Sequence, residues 1–319
     1  MSRFRRSAHR LAAALFCAWL PMAAAATVHA APTDSTPPWG PPAPNWWAAM
    51  AASAQHPDWF PSGMNDWSCK PSTAHPKPVV LVHGFIDNAY AAWSVYSPTL
   101  AAEGYCVYGL NYGGADNSPY QGAANMRASA AQLADFVDTV RTRTGAAKVD
   151  MVALSEGRLL GPYYINKLGG HKAVDRMIGI EPASNGIAAY GLMPAIAQSP
   201  FLTFWLGVYN QAGVDFTANS RFVNELRQPN GPTHPDVHYT TIASTTDGAL
   251  TLPEMQWPAA PNVTNVVIQD SCPDDHVDHV GTVYDDITLR LVRNALDPAT
   301  AQAPRCHPVG PTSSYAPGN

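Results

Sequence analysis

The chain has 319 residues, 46% of them hydrophobic and 13% charged, and carries a formal net charge of −5. That length and apolar content supply a large core, in one big domain or two smaller ones, and exclude a disordered chain. The acidic balance, with no basic stripe anywhere, excludes electrostatic capture of a phosphate backbone, so no nucleic-acid partner is expected.

Residues 1–30 are set apart from the rest. Arg3, Arg5, Arg6 and Arg10 precede an apolar stretch from Leu11 to Ala26. This pattern reads as a secretory signal peptide, with cleavage expected after Ala30. The stretch is shorter than the roughly 20 residues a bilayer span needs and is interrupted by Pro21, so no transmembrane segment is expected in the mature chain. Cys17 follows the bulky Phe16 and leaves with the peptide. What remains is a more acidic, exported protein, expected to be extracellular. Residues 31–75 are rich in Pro and Trp, as in "PPWGPPAPNWW", and hold neither a 2.0 nor a 3.6 period. They read as an irregular N-terminal arm wrapped onto the body, although its tryptophans could also form a carbohydrate-binding surface.

From Pro78 onward, short apolar runs alternate with helical ones. The runs begin at Val79, Tyr105, Val149, Arg176, His238 and Asn262, and their shortness and β-branched content suit buried parallel strands. Between the second and third, Leu133, Phe136, Val137 and Val140 fall on one helical face that Gly145 ends; after the last, Val280, Tyr284, Ile287 and Leu291 do the same. The rhythm predicts an α/β protein, a mostly parallel sheet with helices on both faces, over residues 76–306. Residues 184–230 break it with Leu192, Met193, Ile196, Phe201, Leu202, Phe204, Trp205 and Leu206, too many apolar side chains for a connection, and read as an apolar cap or lid over the sheet. That cap either makes transient contact with a lipid interface or hydrophobic polymer and helps select acyl chain length, or is simply packed inside. Residues 307–319 read as a polar tail.

Four cysteines stay in the mature chain: Cys69, Cys106, Cys272 and Cys306. An even count in an oxidising compartment implies two disulfides. Three pairings are possible, and Cys69 with Cys106 plus Cys272 with Cys306 is favoured because each closes a local loop. Zinc is the alternative, disfavoured by the absence of CxxC or CxH spacing.

In an open parallel sheet, ligands bind beyond the carboxyl ends of the strands. Ser155 stands there, in Ala153-Leu154-Ser155-Glu156-Gly157, between a buried strand and the helical "RLLGPYYINKL". The spacing matches a nucleophile elbow, whose small residues two before and two after the serine prevent clashes with the neighbouring strand and helix. Read by itself, the pentapeptide fits an ordinary turn serine equally well. Upstream, His83-Gly84-Phe85 follows the first strand and is suited to an oxyanion loop, with the N–H groups of Phe85 and Glu156 as donors and His83 as a structural residue. A serine needs an imidazole to take its proton and a carboxylate behind that imidazole. Asp247 is the first carboxylate after its strand. His279 is the expected base because it stands at the start of the last amphipathic helix, whose positive end would keep the imidazole neutral. His276 is second choice, and Asp270, on the strand leading into the histidine loop, reads as a capping residue. The acid-rich "DDHVDH" could instead clip a metal through His276, His279 and a carboxylate, or hold calcium at Asp274, Asp275 and Asp278. Neither is the favoured reading, and no metal or other cofactor is expected.

These residues carry a resemblance. Residues 64–306 resemble the secreted bacterial class 2 lipases of the α/β-hydrolase superfamily through "NDWSCKPSTAHPKPVVLVHGF", "EGYCVYGLNYG", "AAKVDMVALSEG", "YYINKLGG", "SPFLT", "NVTNVVIQDSCPDDHVDH" and "LRLVRNALDP". The resemblance implies an α/β-hydrolase fold and hydrolysis of lipid esters. It also implies Ser155 as nucleophile, Asp247 as acid, His279 as base and the disulfide pairing above. The chain departs from the family pattern at Ala153, Leu154 and Arg158. Leu154 is expected to alter packing only, whereas Arg158 at the start of the nucleophile helix is expected to crowd the acyl pocket or to change which esters fit. Two other readings share the fold: a catalytically silent binding protein and an acyltransferase with the same triad.

Overall fold

The computed structural model describes residues 36–187, 210–227 and 231–312. A short parallel pair, β1 (Trp39–Gly40) and β2 (Phe60–Pro61), comes first. Six further strands then form one sheet: β3 (Val79–Val82), β4 (Val107–Leu110), β5 (Val149–Leu154), β6 (Val174–Ile180), β7 (His238–Ala243) and β8 (Val263–Val267). Their order is β4-β3-β5-β6-β7-β8 and every pairing is parallel. Every residue of β3, β4 and β5 is buried, which is why these runs read as continuous apolar stretches and not as alternating ones.

The pleat divides the strand side chains between two cores. Val80, Val82, Met151 and Ala153 pack with α4 (Met126–Thr144) and α5 (Gly157–Lys167) on one face. Val79, Leu81, Val152 and Leu154 pack on the other with α2 (Ala89–Trp93), α3 (Tyr96–Ala102) and α10 (Asp286–Leu296). Helix α4 shows how local signals set the boundaries. The Asn125 side chain accepts the N–H groups of Arg127 and Ala128 at its start, and Gly145 takes φ 73° at its end. Its buried Leu133, Val137 and Val140 each contribute about 1.5–3 kcal/mol of apolar burial. The disulfides join Cys69 to Cys106 and Cys272 to Cys306.

Three expectations need correction. The Pro- and Trp-rich segment is not irregular throughout. It contains α1 (Trp46–Gln55), capped where the Asn45 side chain accepts the Ala48 N–H at 2.9 Å, and the alanine-rich run behind that cap is a good helix former that lacks an amphipathic stripe. Ala49 and Met64 are buried in the second core, beside partly buried Trp46, Met50 and Trp59. Trp39 and Trp47 remain exposed.

The last helix does not start near residue 279. A 3₁₀ turn covers Gly281–Tyr284, and α10 begins after Asp285, whose carboxylate caps it by accepting the Thr288 N–H at 2.6 Å. Asp270 is not on a strand, because β8 ends at Val267 and a helical turn, Ile268–Ser271, follows. Within the tail, Val309 is buried and bridges Asp275 of the histidine loop, while Pro311 O accepts the Asp278 N–H at 2.7 Å. The apolar residues 192–206 expected to form the cap lie outside the described residues. Of that segment, α6 (Gln211–Asp215) and α7 (Arg221–Arg227) are described.

Candidate active site

Strand β5 ends at Leu154 and α5 begins at Gly157, so Ser155 occupies a turn two residues wide. Its φ of 49° lies in the left-handed region, a strained conformation for a residue with a side chain, and its N–H is anchored on Ile180 O at 3.0 Å. Close packing explains the glycine that follows. A Cβ on Gly157 would lie 2.5 Å from His83 O and 2.8 Å from Val82 O, so only glycine lets the elbow sit this near the end of β3. Gly84 is likewise close, since a Cβ there would stand 3.4 Å from the Ser155 Cβ.

The structure brings the three sequence candidates together. Ser155 Oγ lies 2.9 Å from His279 Nε2, and His279 Nδ1 lies 2.5 Å from Asp247 Oδ2. An imidazole that donates from Nδ1 to the carboxylate leaves Nε2 as the acceptor facing the serine. Asp247 is buried in the middle of the loop after β7. Its Oδ1 accepts the N–H of Ala249 at 2.7 Å and the N–H of Leu250, and its own carbonyl accepts the His279 N–H at 2.9 Å. Burial works most strongly against its charge. The hydrogen bond and charge of His279, with the Leu250 N–H and a contact from Glu181, outweigh it and hold the carboxyl below its ordinary range. His279 stands before the 3₁₀ turn and outside α10, so its position owes to Asp247 and not to a helix end.

The other candidates fall elsewhere. His276 is exposed, with its N–H on Val309 O at 3.0 Å, and Asp270 is exposed in its helical turn. Among the described residues, no group of three or more His, Cys, Asp or Glu side chains is placed to hold a metal ion. Neither Phe85 nor Glu156 donates its backbone N–H to an acceptor among the described residues, and both flank Ser155 from the ends of β3 and β5. His83 is buried beneath this loop and stacked on Tyr112 at 4.1 Å, with Nδ1 donating to Gly84 O at 2.8 Å and Nε2 accepting the Tyr112 N–H at 3.4 Å. Burial lowers its pKa to about 4, which keeps it neutral.

The Arg158 side chain is fully buried against β6 and β7. Its stem crosses Gly179, where a Cβ would meet the Arg158 Cδ at 2.5 Å, and its guanidinium lies 3.5 Å from the centroid of the Trp257 ring. Leu154 is buried in the second core, with its side chain beside Gly84.

Three contributors escaped the sequence reading. Asp87 Oδ1 accepts both the Trp46 indole N–H at 3.0 Å and the Asn88 N–H at 2.8 Å, so the N-terminal helix braces the loop that carries Phe85. Glu181, at the end of β6, touches Asp247. An acid directly after a strand was the available signal for Glu181; nothing local marks Asp87 or Trp46.

The arrangement places an imidazole acceptor within hydrogen-bonding reach of a serine hydroxyl, with a buried carboxylate behind it. The sequence profile of a family described as Lipase (class 2) matches residues 76–289, more than half of the chain. A search of curated protein sequences finds no match. Among solved structures, Aspergillus fumigatus lipase B is similar at TM-score 0.56 and 20% identity, over 77% of this chain and 56% of that one. Bacillus licheniformis lipase BlEst2 in its mature form is similar at TM-score 0.52 and 19% identity, over 71% of this chain and 94% of that one. Its propeptide form is similar at TM-score 0.52 and 20% identity, over 76% of this chain and 54% of that one. The match thus spans little more than half the length of the Aspergillus enzyme and of the Bacillus propeptide form, and at these identities the likeness is one of fold.

Proposed function

This chain belongs to the class 2 lipases, a family of carboxylic ester hydrolases, and we propose that it cleaves lipid esters through Ser155, His279 and Asp247 by way of an acyl-enzyme. Ser155 Oγ attacks the ester carbonyl carbon while His279 Nε2 takes the hydroxyl proton, and the carbonyl π electrons move onto oxygen. The N–H groups of Phe85 and Glu156 stabilise that oxyanion, each donor lowering the barrier by about 3 kcal/mol. Collapse of the tetrahedral intermediate breaks the bond to the alkoxy oxygen, which leaves with the proton from His279. Water then attacks the acyl-serine while His279 Nε2 takes its proton, and collapse of the second tetrahedral intermediate breaks the bond to Ser155 Oγ, which regains the proton from His279 as the carboxylic acid leaves. Asp247 holds the imidazole in the required tautomer and stabilises its cation.

The observation that carries this reading is the unbroken chain of contacts from Ser155 Oγ through His279 to Asp247, at 2.9 and 2.5 Å. The test is hydrolysis of short- and long-chain p-nitrophenyl esters by the wild type and by Ser155→Ala. The substitution is expected to lower kcat by on the order of 10⁶-fold. Activity that survived it would remove Ser155 from the mechanism.

We also infer export, with residues 1–30 removed. The two disulfides support an oxidising destination. Among the described residues no helix is long and apolar enough to cross a membrane.

A further inference from the structure

Glu181 follows the last residue of β6 and belongs to none of the motifs that mark the serine, the histidine or the aspartate. Its side chain is fully buried, and its φ of 42° is a left-handed conformation that a non-glycine residue holds only where its surroundings enforce it. The surroundings are identifiable. The Glu181 N–H donates to Ile242 O at 2.9 Å, and the Ser244 N–H donates to both carboxyl oxygens of Glu181, at 3.0 and 3.2 Å. Ser244 Oγ in turn donates to Val277 O at 2.9 Å, two residues before His279. The acid is therefore pinned between the ends of two strands and tied to the histidine loop.

Its carboxyl group is also in hydrogen-bonding contact with that of Asp247. Two carboxylates buried side by side repel, and their oxygens bond only when a proton lies between them. The remaining partners decide which acid keeps it. Asp247 accepts the N–H groups of Ala249 and Leu250 and faces His279 Nδ1, whereas among the described residues Glu181 accepts only the Ser244 N–H, shared between its two oxygens. The negative charge belongs on the acid with more N–H donors, Asp247.

The other groups facing Glu181 point the same way, since Asp275 of the histidine loop adds negative charge and Tyr96 of α3 is neutral. Burial first, and then the charge of Asp247, push the Glu181 carboxyl well above its usual range, while Asp247 is held below its own.

We propose that Glu181 is a positioning residue: it keeps its proton at neutral pH and donates it in a hydrogen bond to Asp247, extending the serine–histidine–aspartate chain by one acid. The proposal rests on the assignment of Ser155, His279 and Asp247 given above. Its consequence is twofold. The hydrogen bond fixes the carboxylate in the orientation that His279 requires, and it makes Asp247 a weaker base, so the proton that His279 gains in the transition state stays on the imidazole.

The test combines one measurement that does not depend on activity with two that do. At about pH 7, the infrared difference spectrum between wild type and Glu181→Gln should contain the carbonyl stretch of an un-ionised carboxyl group. The amide of Glu181→Gln can still donate to Asp247 and accept from Ser244. It should keep kcat within about threefold and the acid limb of kcat/KM within about 0.3 pH unit. Glu181→Leu removes the donor and should lower kcat by about tenfold or more, with KM within about twofold.

Absence of the infrared band overturns the proposal. So does an acid limb displaced by about one pH unit in Glu181→Gln, which would mean that an anion had been removed, and so does a Glu181→Leu enzyme that turns over like wild type. Should Glu181→Leu fail to fold, the band and the Glu181→Gln profile decide. Ser155→Ala keeps the two readings apart: activity surviving that substitution sinks the catalytic assignment, while the band still reports where the proton lies.

Discussion

Arg158 buries its guanidinium in the first turn of α5, with no hydrogen-bond acceptor for Nε, Nη1 or Nη2 among the described residues. The charge rests on the rings of Trp257 at 3.5 Å and Tyr239 at 5.6 Å. A desolvated cation–π contact contributes about 2 kcal/mol, whereas taking a cation out of water costs several kcal/mol. Desolvation should win, in keeping with a pKa pulled down to about 9 by burial. Arg158→Met keeps the long stem over Gly179 without the charge. It is expected to raise the Tm by a few degrees and leave the KM for short esters unchanged; a lower Tm by calorimetry would show that the ring contacts outweigh burial. At this scale, the sequence exposed Ser155 because an elbow is a local event whose small neighbours stand two residues away. It hid Glu181 and the resting place of Arg158, because each is defined by contacts with strands distant along the chain.

The histidine loop is the element on which the geometry turns, and two distant pieces of chain hold it. The Cys272–Cys306 disulfide closes one side, and the segment through Val309 and Pro311 hydrogen-bonds to His276 and Asp278 on the other. The bonded cysteines are separated by 34 residues, for which chain entropy predicts a stabilisation of about 3–4 kcal/mol. Replacing Cys272 and Cys306 by serine should lower the urea midpoint accordingly and also reduce kcat, since His279 loses its brace. Replacing Cys69 and Cys106, at a similar separation of 37, should cost comparable stability and leave kcat nearly intact. Equal kcat losses in the two double variants would show that the brace has no special part. Strands and α4 were legible because period, cap and Gly145 agree locally. Helix α1 was obscured by its proline- and tryptophan-rich setting, and the late start of α10 by an apolar period that the 3₁₀ turn carries on without a break.

For the whole molecule, buried titratable groups set the response to pH. Burial pushes Asp87, Asp150 and Asp285 up to about 6 from an ordinary 3.8, so their contribution to stability is full below about pH 4 and lost as pH rises through about 6. Glu156 and Glu181, raised further by burial, extend that loss to higher pH. His83 acts oppositely. Lowered from 6.5 to about 4, it contributes fully above 6.5 and loses that contribution as pH falls through about 4. The carboxyls outnumber the imidazole, so the Tm is expected to be several degrees higher near pH 5 than near pH 8, and a Tm that rose steadily across that range would contradict this. By itself, the sequence determined the parallel α/β fold and the positions of the six strands of the main sheet, and singled out Ser155, Asp247 and His279 as candidates, because burial periodicity and strand-end turns are written in neighbouring residues. Tertiary structure alone decided the partners of those residues: Glu181 against Asp247, Trp46 on Asp87, the chain end against the histidine loop. Such contacts join segments far apart in the chain, and they exist only once the sheet has brought the ends of its strands together.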